Sequence, residues 1–307
     1  HACGGGARCS TCRVMILEGL EHCTPPTEKE KALTDRLGFS SDVRLACETL
    51  VQGNVVLRRL ALDDDDRTMI LRQFQGKITP IVRGTERKIA ILFSDLRGFT
   101  SFSEKLPPYD VVYVLNRYFY RMGQIVERYG GMINNYIGDG MLALFGLTPT
   151  EGASERAVLA ALDMADAMES LNDYLDNLYH RRLGIGIGIH FGTVVMGDVG
   201  APGSQRLTVI GDTVNFASRI EAANKQLGTT VLISEAVYQQ VKDMVKTKPH
   251  YAIQVPGKTG NYDLYEVTAS LLKPIVPEPP LPPRSLLSRL VATLLRWWNT
   301  LWRSLGC

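Results

Sequence analysis

The sequence has no apolar run long enough to span a bilayer, no internal repeat and no surplus of either charge. The first absence excludes a transmembrane core, and the second excludes a repeat architecture. A formal net charge of +2 is too near zero to mark a nucleic-acid binder. An initiator Met is also lacking. The chain starts at His1, inside a motif, so a piece of a longer protein is expected. What is present is ordinary globular composition: 307 residues, 45% hydrophobic and 21% charged, enough for about two domains with their own cores.

The chain divides into five stretches. Residues 1–60 are rich in Cys and Gly and include short strands such as Asn54–Leu57. Residues 61–86 form a connector, with an acidic run Asp63–Asp66 that reads as a solvated face and a short helical pattern near Met69–Phe74. Residues 87–270 alternate strands and amphipathic helices. Ile89–Phe93 is an apolar strand, and Asp110–Tyr129 carries apolar residues at helical spacing before Gly130-Gly131. Met132–Phe145 predicts a hairpin around Asp139-Gly140. Ser154–Leu178 predicts a second long helix, Leu183–His190 a strand, Thr213–Ala223 a helix and Val231–Ser234 a strand. This alternation predicts an α+β sheet covered by helices on one face. A Pro-rich linker (271–284) and a basic amphipathic helix (285–307) follow.

Four of the six cysteines belong to one pattern: Cys3, Cys9 and Cys12 in C-x5-C-x2-C, with Cys47 in RLACET. Soft thiolates in a Gly-rich loop suit an iron–sulfur cluster, because the glycines let backbone N–H groups reach the sulfurs. Zinc or disulfides are the alternatives, although a four-cysteine zinc site usually has two C-x2-C knuckles and only one exists here. CGGGARCSTCRV and RLACET resemble the adrenodoxin-like 2Fe–2S ferredoxins. The resemblance implies Cys3, Cys9, Cys12 and Cys47 as cluster ligands, with Cys23 spare. It covers only the C-terminal part of that β-grasp domain.

Nucleotidyl chemistry needs carboxylates for metals, donors for phosphates and a cation for developing charge. Asp95 ends an apolar strand just before a turn at Gly98, and Asp139 stands at the predicted hairpin tip. Either alone reads as a turn residue; together they can share two hard cations ~4 Å apart. Asn215 and Arg219 lie four apart, on one helix face, where they can stabilise a pentavalent phosphorus or merely solvate the helix. FSDLRGFT, NNYIGDGMLALFG, GIGIHFG and TVIGDTVNFASRIE, in this order, resemble the successive signatures of the class III adenylate/guanylate cyclase catalytic domain.

That resemblance implies a ferredoxin-like βαββαβ sheet core. It implies Asp95 and Asp139 as ligands of two Mg2+ or Mn2+ ions, with the Leu96 carbonyl assisting. Phe99 and Thr100 would offer N–H groups to the triphosphate, Asn215 would orient the ribose, and Arg219 would stabilise the transition state. It also implies a head-to-tail homodimer whose two sites each draw on both chains. Two positions depart from the family. Adenylate cyclases usually have a Lys where Asn135 stands; the partner position is Thr208. An amide can donate to adenine N1 and a hydroxyl accept from its amino group, and neither position supplies the carboxylate that guanine favours, so ATP is the expected substrate. Pro256 replaces a Lys that contacts the triphosphate in many relatives; Lys258 either takes that role or is a loop charge. His190, in an alternating strand, reads as structural.

In 285–307 an apolar stripe from Leu287 to Leu305 with Trp298, Trp302 and several Arg suits an in-plane membrane anchor, the alternative being docking on protein. The expectation is a cytoplasmic adenylate cyclase, held at a membrane surface if that helix is an anchor, and regulated by its ferredoxin module through a redox partner. A guanylate or dual-specificity cyclase is the alternative. A non-enzyme alternative is an electron-transfer protein whose degenerate cyclase domain only dimerises.

Overall fold

The computed structural model describes residues 3–59, 84–200, 204, 206–254 and 260–271. Residues 61–83 of the expected connector, Lys258, the Pro-rich stretch from 272 and the expected helix 285–307 lie outside the described residues.

In the N-terminal module, buried Val14 and Ile16 turn one face of β1 (Arg13–Glu18) inward. It pairs antiparallel with β2 (Val43–Leu45) on one side and β3 (Val56–Arg59) on the other. A helix that the periodicity does not announce, α1 (Glu28–Leu37), begins where Thr27 Oγ1 accepts the Glu30 N–H at 3.2 Å and ends at left-handed Gly38. Its buried positions are Leu33 and Glu30, so a carboxylate stands where an apolar residue would have marked the stripe.

Glu30 is buried because Arg44 meets it with two hydrogen bonds, Nε at 2.9 Å and Nη2 at 3.0 Å, while the Leu45 N–H donates to it at 2.7 Å. Burial pushes the Glu30 carboxyl up. The Arg44 hydrogen bonds, the Leu45 N–H and the guanidinium charge outweigh that and hold it below its ordinary value. Glu30→Gln is expected to cost about 3 kcal/mol at neutral pH by leaving Arg44 buried without its counter-charge. A depressed folded value means this stabilisation is present above the ordinary carboxylate range and lost as pH falls through the folded value. The deficit in thermal melts of the full chain should therefore shrink towards acid; a pH-independent deficit would overturn this account.

In the larger unit, β4 (Thr85–Arg97) pairs antiparallel along its whole length with β7 (Gly184–Val199), from Thr85 opposite Met196 to Arg97 opposite Gly184. With β5 (Gly131–Ile137) and β6 (Gly140–Phe145) they give the spatial order β7–β4–β6–β5, the βαββαβ core expected. Every residue of β6 is buried, as befits an inner strand. β8 (Arg206–Ile210) pairs with the far half of β7. β9 (Val231–Ser234), β10 (Val245–Thr247), β11 (Tyr251–Gln254) and β12 (Asn261–Ser270) extend the sheet beyond β7.

Alternation along β4 sorts the helices. Leu92 and Leu96 face α3 (Pro108–Arg128) and α4 (Ala153–Tyr179), joining Tyr118, Met122 and Met164 in the main core. Ile89 and Ile91 face the opposite way, towards Ala217 of α5 (Asp212–Leu227). Helices therefore cover both faces rather than one. The reason lies in β7: a Cβ on Gly188 would fall on the backbone N of Glu221, so only glycine lets α5 lie this close to the strand. Asp95, an odd-numbered position like Ile89 and Ile91, shares the α5 face.

Candidate active site

Asp95 sits near the end of β4, half-buried, opposite Gly186 on β7. The hairpin that delivers Asp139 turns on Gly138-Asp139, one residue earlier than the Asp-Gly pair suggested, with Gly138 at φ 64° and Ile137 opposite Gly140. Gly140 instead starts β6, where an added Cβ would lie 3.1 Å from Asp95 Oδ1. A side chain there would press on Asp95; its absence brings the turn against the end of β4. The two carboxylates sense each other: burial pushes the Asp95 carboxyl up, the negative charge of Asp139 adds to that, and Arg97 opposes it.

Among the described residues, no group of three or more His, Cys, Asp or Glu is placed to hold one metal ion. A pair of carboxylates suits Mg2+ better than a closed cage, because Mg2+ keeps waters and substrate phosphates as its remaining ligands. The Leu96 side chain is buried on the α3–α4 face, which leaves its carbonyl on the strand beside Asp95. Phe99 and Thr100 open the short helix α2 (Phe99–Ser103) after left-handed Gly98. N–H groups in a first helical turn have no intrahelical acceptor.

Asn215 and Arg219 lie on α5, Asn215 exposed and Arg219 partly so. Thr213 anchors the first turn of that helix by donating to the Thr193 carbonyl at 2.7 Å. Among the described residues neither Asn215 nor Arg219 forms a hydrogen bond or ion pair with Asp95 or Asp139. The chain thus brings the two aspartates together and carries the Asn–Arg pair separately.

Asn135 follows a bulge in β5, where the register with β6 shifts between Ile133 and Asn135. The residue inside the bulge, Asn134, donates through Nδ2 to the Leu207 carbonyl at 3.0 Å. That bond ties Asn135 to β8 and its neighbour Thr208, which the sequence separates by more than seventy residues. The Thr208 hydroxyl donates to the Arg206 carbonyl at 3.1 Å, so its oxygen remains an acceptor. His190 meets Ser234 at 2.8 Å and Phe216 edge-on, a structural setting.

Sequence reasoning missed the Arg97–Glu221 ion pair, 2.9 Å long. Burial pushes Glu221 up to about 7; Arg97 opposes this, while Asp95 and Asp139 add to it. The signal was GIGIG in β7, where glycine at alternate positions marks one face stripped for a close neighbour.

In the N-terminal module the thiols form two pairs. Cys3 is hydrogen-bonded with Cys9, and Cys12 lies 3.5 Å from Cys47, sulfur to sulfur. Cys23 is elsewhere, near the Gly19 carbonyl. Burial raises the Cys3 thiol, but the Arg8, Gly6 and Gly5 N–H groups and Cys9 outweigh it and bring it to about 6. Burial pushes Cys47 up to about 11, with an Ala7 N–H also directed at it. Among the described residues these cysteines are free thiols. Two pairs of thiols cradled by N–H groups fit a cluster of two irons, each taking two thiolates.

Residues 81–269 match the adenylate and guanylate cyclase catalytic domain, and residues 1–52 the 2Fe-2S iron-sulfur cluster binding domain. An adenylate cyclase of Anabaena cylindrica is 40% identical over 190 residues, 60% of this chain and 37% of that protein. Adenylate cyclase 1 of Rhizobium meliloti (strain 1021) is 36% identical over 182 residues, 59% of this chain and 27% of that one. The chain therefore spans well under half of these relatives. Among solved structures, the guanylyl cyclase Cya2 superposes with a TM-score of 0.57 at 36% identity, over 61% of this chain and 94% of its own. The adenylyl cyclase CyaB from P. aeruginosa gives 0.57 at 31%, over 61% and 96%.

Proposed function

The chain belongs to the adenylate and guanylate cyclase family, and we propose that it converts ATP to cyclic AMP and pyrophosphate at sites shared by two copies. The observation that carries this reading is the approach of Asp139 to Asp95 around side-chain-free Gly140. Divalent cations bound there would withdraw charge from the phosphates and favour ionisation of the ribose 3′-hydroxyl. Asp95, Asp139 and the Leu96 carbonyl would hold those ions, and the Phe99 and Thr100 N–H groups would orient the triphosphate. Asn215 from a second copy positions the ribose. The 3′-oxygen bonds to the α-phosphorus and gives its proton to water, while the bond to the bridging oxygen breaks and pyrophosphate leaves. Arg219 of that same copy offsets the charge gathering on the equatorial oxygens.

Adenine is the favoured base. Asn135 donates to N1 and the Thr208 oxygen accepts from the amino group, its own hydrogen being committed to Arg206. The 2Fe–2S module regulates turnover. Arg8, inside the cysteine loop, pairs with Glu86 at the start of β4, the strand that ends beside Asp95, which supports a mechanical link. Residues 285–307 associate with a membrane surface, supported by their Arg- and Trp-bearing stripe.

The test is product formation by the full chain from ATP or GTP with Mg2+ or Mn2+. Cyclic AMP well above cyclic GMP supports the reading, comparable products make the enzyme dual-specific, and no product from folded dimers sinks it. Asn135→Glu is expected to lower kcat/KM for ATP by about ten- to a hundredfold and to raise it for GTP, since a carboxylate cannot donate to adenine N1 but accepts from guanine. An unchanged ATP/GTP ratio would remove Asn135 from the base site.

A further inference from the structure

The Arg97–Glu221 pair has no part in the reaction described above. Arg97 Nη2 donates to Glu221 Oε1 at 2.9 Å and to the Glu221 carbonyl at 3.1 Å. Both side chains are largely withdrawn from water, 24% and 13% exposed. They lie over bare backbone: a Cβ on Gly186 would sit 2.7 Å from both Arg97 Nε and Glu221 Oε1. Gly186 is also the residue opposite Asp95 in the β4–β7 ladder. Arg97 and Asp95, two apart on β4, point to the same face. A permanent cation therefore stands beside one of the two aspartates, where water screens it poorly.

An unpartnered guanidinium in that place would turn to Asp95 and compete with a divalent ion for it. We propose that Glu221 is a positioning residue for the cation half-site: it neutralises Arg97 and holds it against Gly186, leaving Asp95 and Asp139 to the metal ions. The inference rests on those aspartates being metal ligands. Glu221 follows Arg219 by two residues on α5, so the same ion pair ties the helix of the Asn–Arg half-site to the strand of the metal half-site within one chain.

Charge separates this role from simple packing. The experiment is Mn2+ titration of the full chain followed by electron paramagnetic resonance, with the Mn2+ concentration for half-maximal turnover and the thermal midpoint measured alongside. Glu221→Gln is expected to weaken Mn2+ binding by about tenfold or more, as loss of groups supporting metal ligands does. Arg97→Gln should bind Mn2+ at least as tightly as the unaltered chain, and Arg97→Gln/Glu221→Gln should return to near its value, because the pair leaves no net charge behind. A packing role makes the double variant the worst of the three. Binding by Glu221→Gln equal to that of the unaltered chain, or a double variant no better than Glu221→Gln, overturns the proposal. If Glu221→Gln does not fold, Arg97→Gln decides: weaker Mn2+ binding there overturns it. Undiminished Mn2+ binding in Asp95→Ala removes the metal half-site itself, and this inference with it.

Discussion

Asp95→Ala is expected to lower cyclic-nucleotide formation by about a thousandfold or more, because it takes half of the carboxylate charge from a two-cation site. The fold should survive. Asp95 is only half-buried, near the end of its strand, and its carboxyl is pushed towards the neutral form by burial and by Asp139. In the absence of cations the carboxylate is therefore a local burden, and removing it relieves repulsion. The paired outcome is distinctive: a thermal midpoint equal to or above that of the unaltered chain, with Mn2+ affinity and turnover lost together. Asp139→Ala should behave alike in turnover, through the same ions. Residual activity within tenfold of the unaltered chain would place the metals elsewhere. An enzyme with no activity to lose would favour the reading of the domain as a dimerisation unit.

What the sequence made readable follows from how local each feature is. The strand Val231–Ser234 matches its expected bounds because a short apolar run between polar neighbours is a complete signal. β4 and β7 run well beyond Ile89–Phe93 and Leu183–His190, since their outer halves pair with each other and with β8 through residues of mixed polarity. α1 went unread because Glu30 occupies an inward position that Arg44, fourteen residues on, and the Leu45 N–H make tolerable. In the site, the nearness of Asp95 and Asp139 could be anticipated from a strand end and a hairpin tip. The part played by Gly140 could not, because it depends on the distance to Asp95, on a strand far earlier in the chain. The Arg97–Glu221 pair is hidden for the same reason: its partners are 124 residues apart and meet over a glycine on a third element.

Arg219→Ala alone should reduce turnover by about a hundred- to a thousandfold, the usual effect of deleting a group that stabilises charge only in the transition state. Co-expressed with Asp95→Ala, it should recover activity that neither variant has. The placement of the two half-sites leads to this expectation. Asp95 and Asp139 close on each other at the ends of β4 and the β5–β6 turn, while Asn215 and Arg219 stand on the separate helix α5. In the proposed two-fold dimer each site would take its aspartates from one copy and its Asn–Arg pair from the other. A mixed dimer concentrates both lesions in one site and leaves the second intact. Random pairing of equal amounts makes half the dimers mixed, each with one working site, so recovery of about a quarter of the original activity is expected. Its Mn2+ dependence and KM for ATP should equal those of the unaltered chain, because the surviving site contains no altered residue. If the chains exchange, as shown by co-purification on two different tags, and activity stays at the level of the separate variants, each copy must complete its own site.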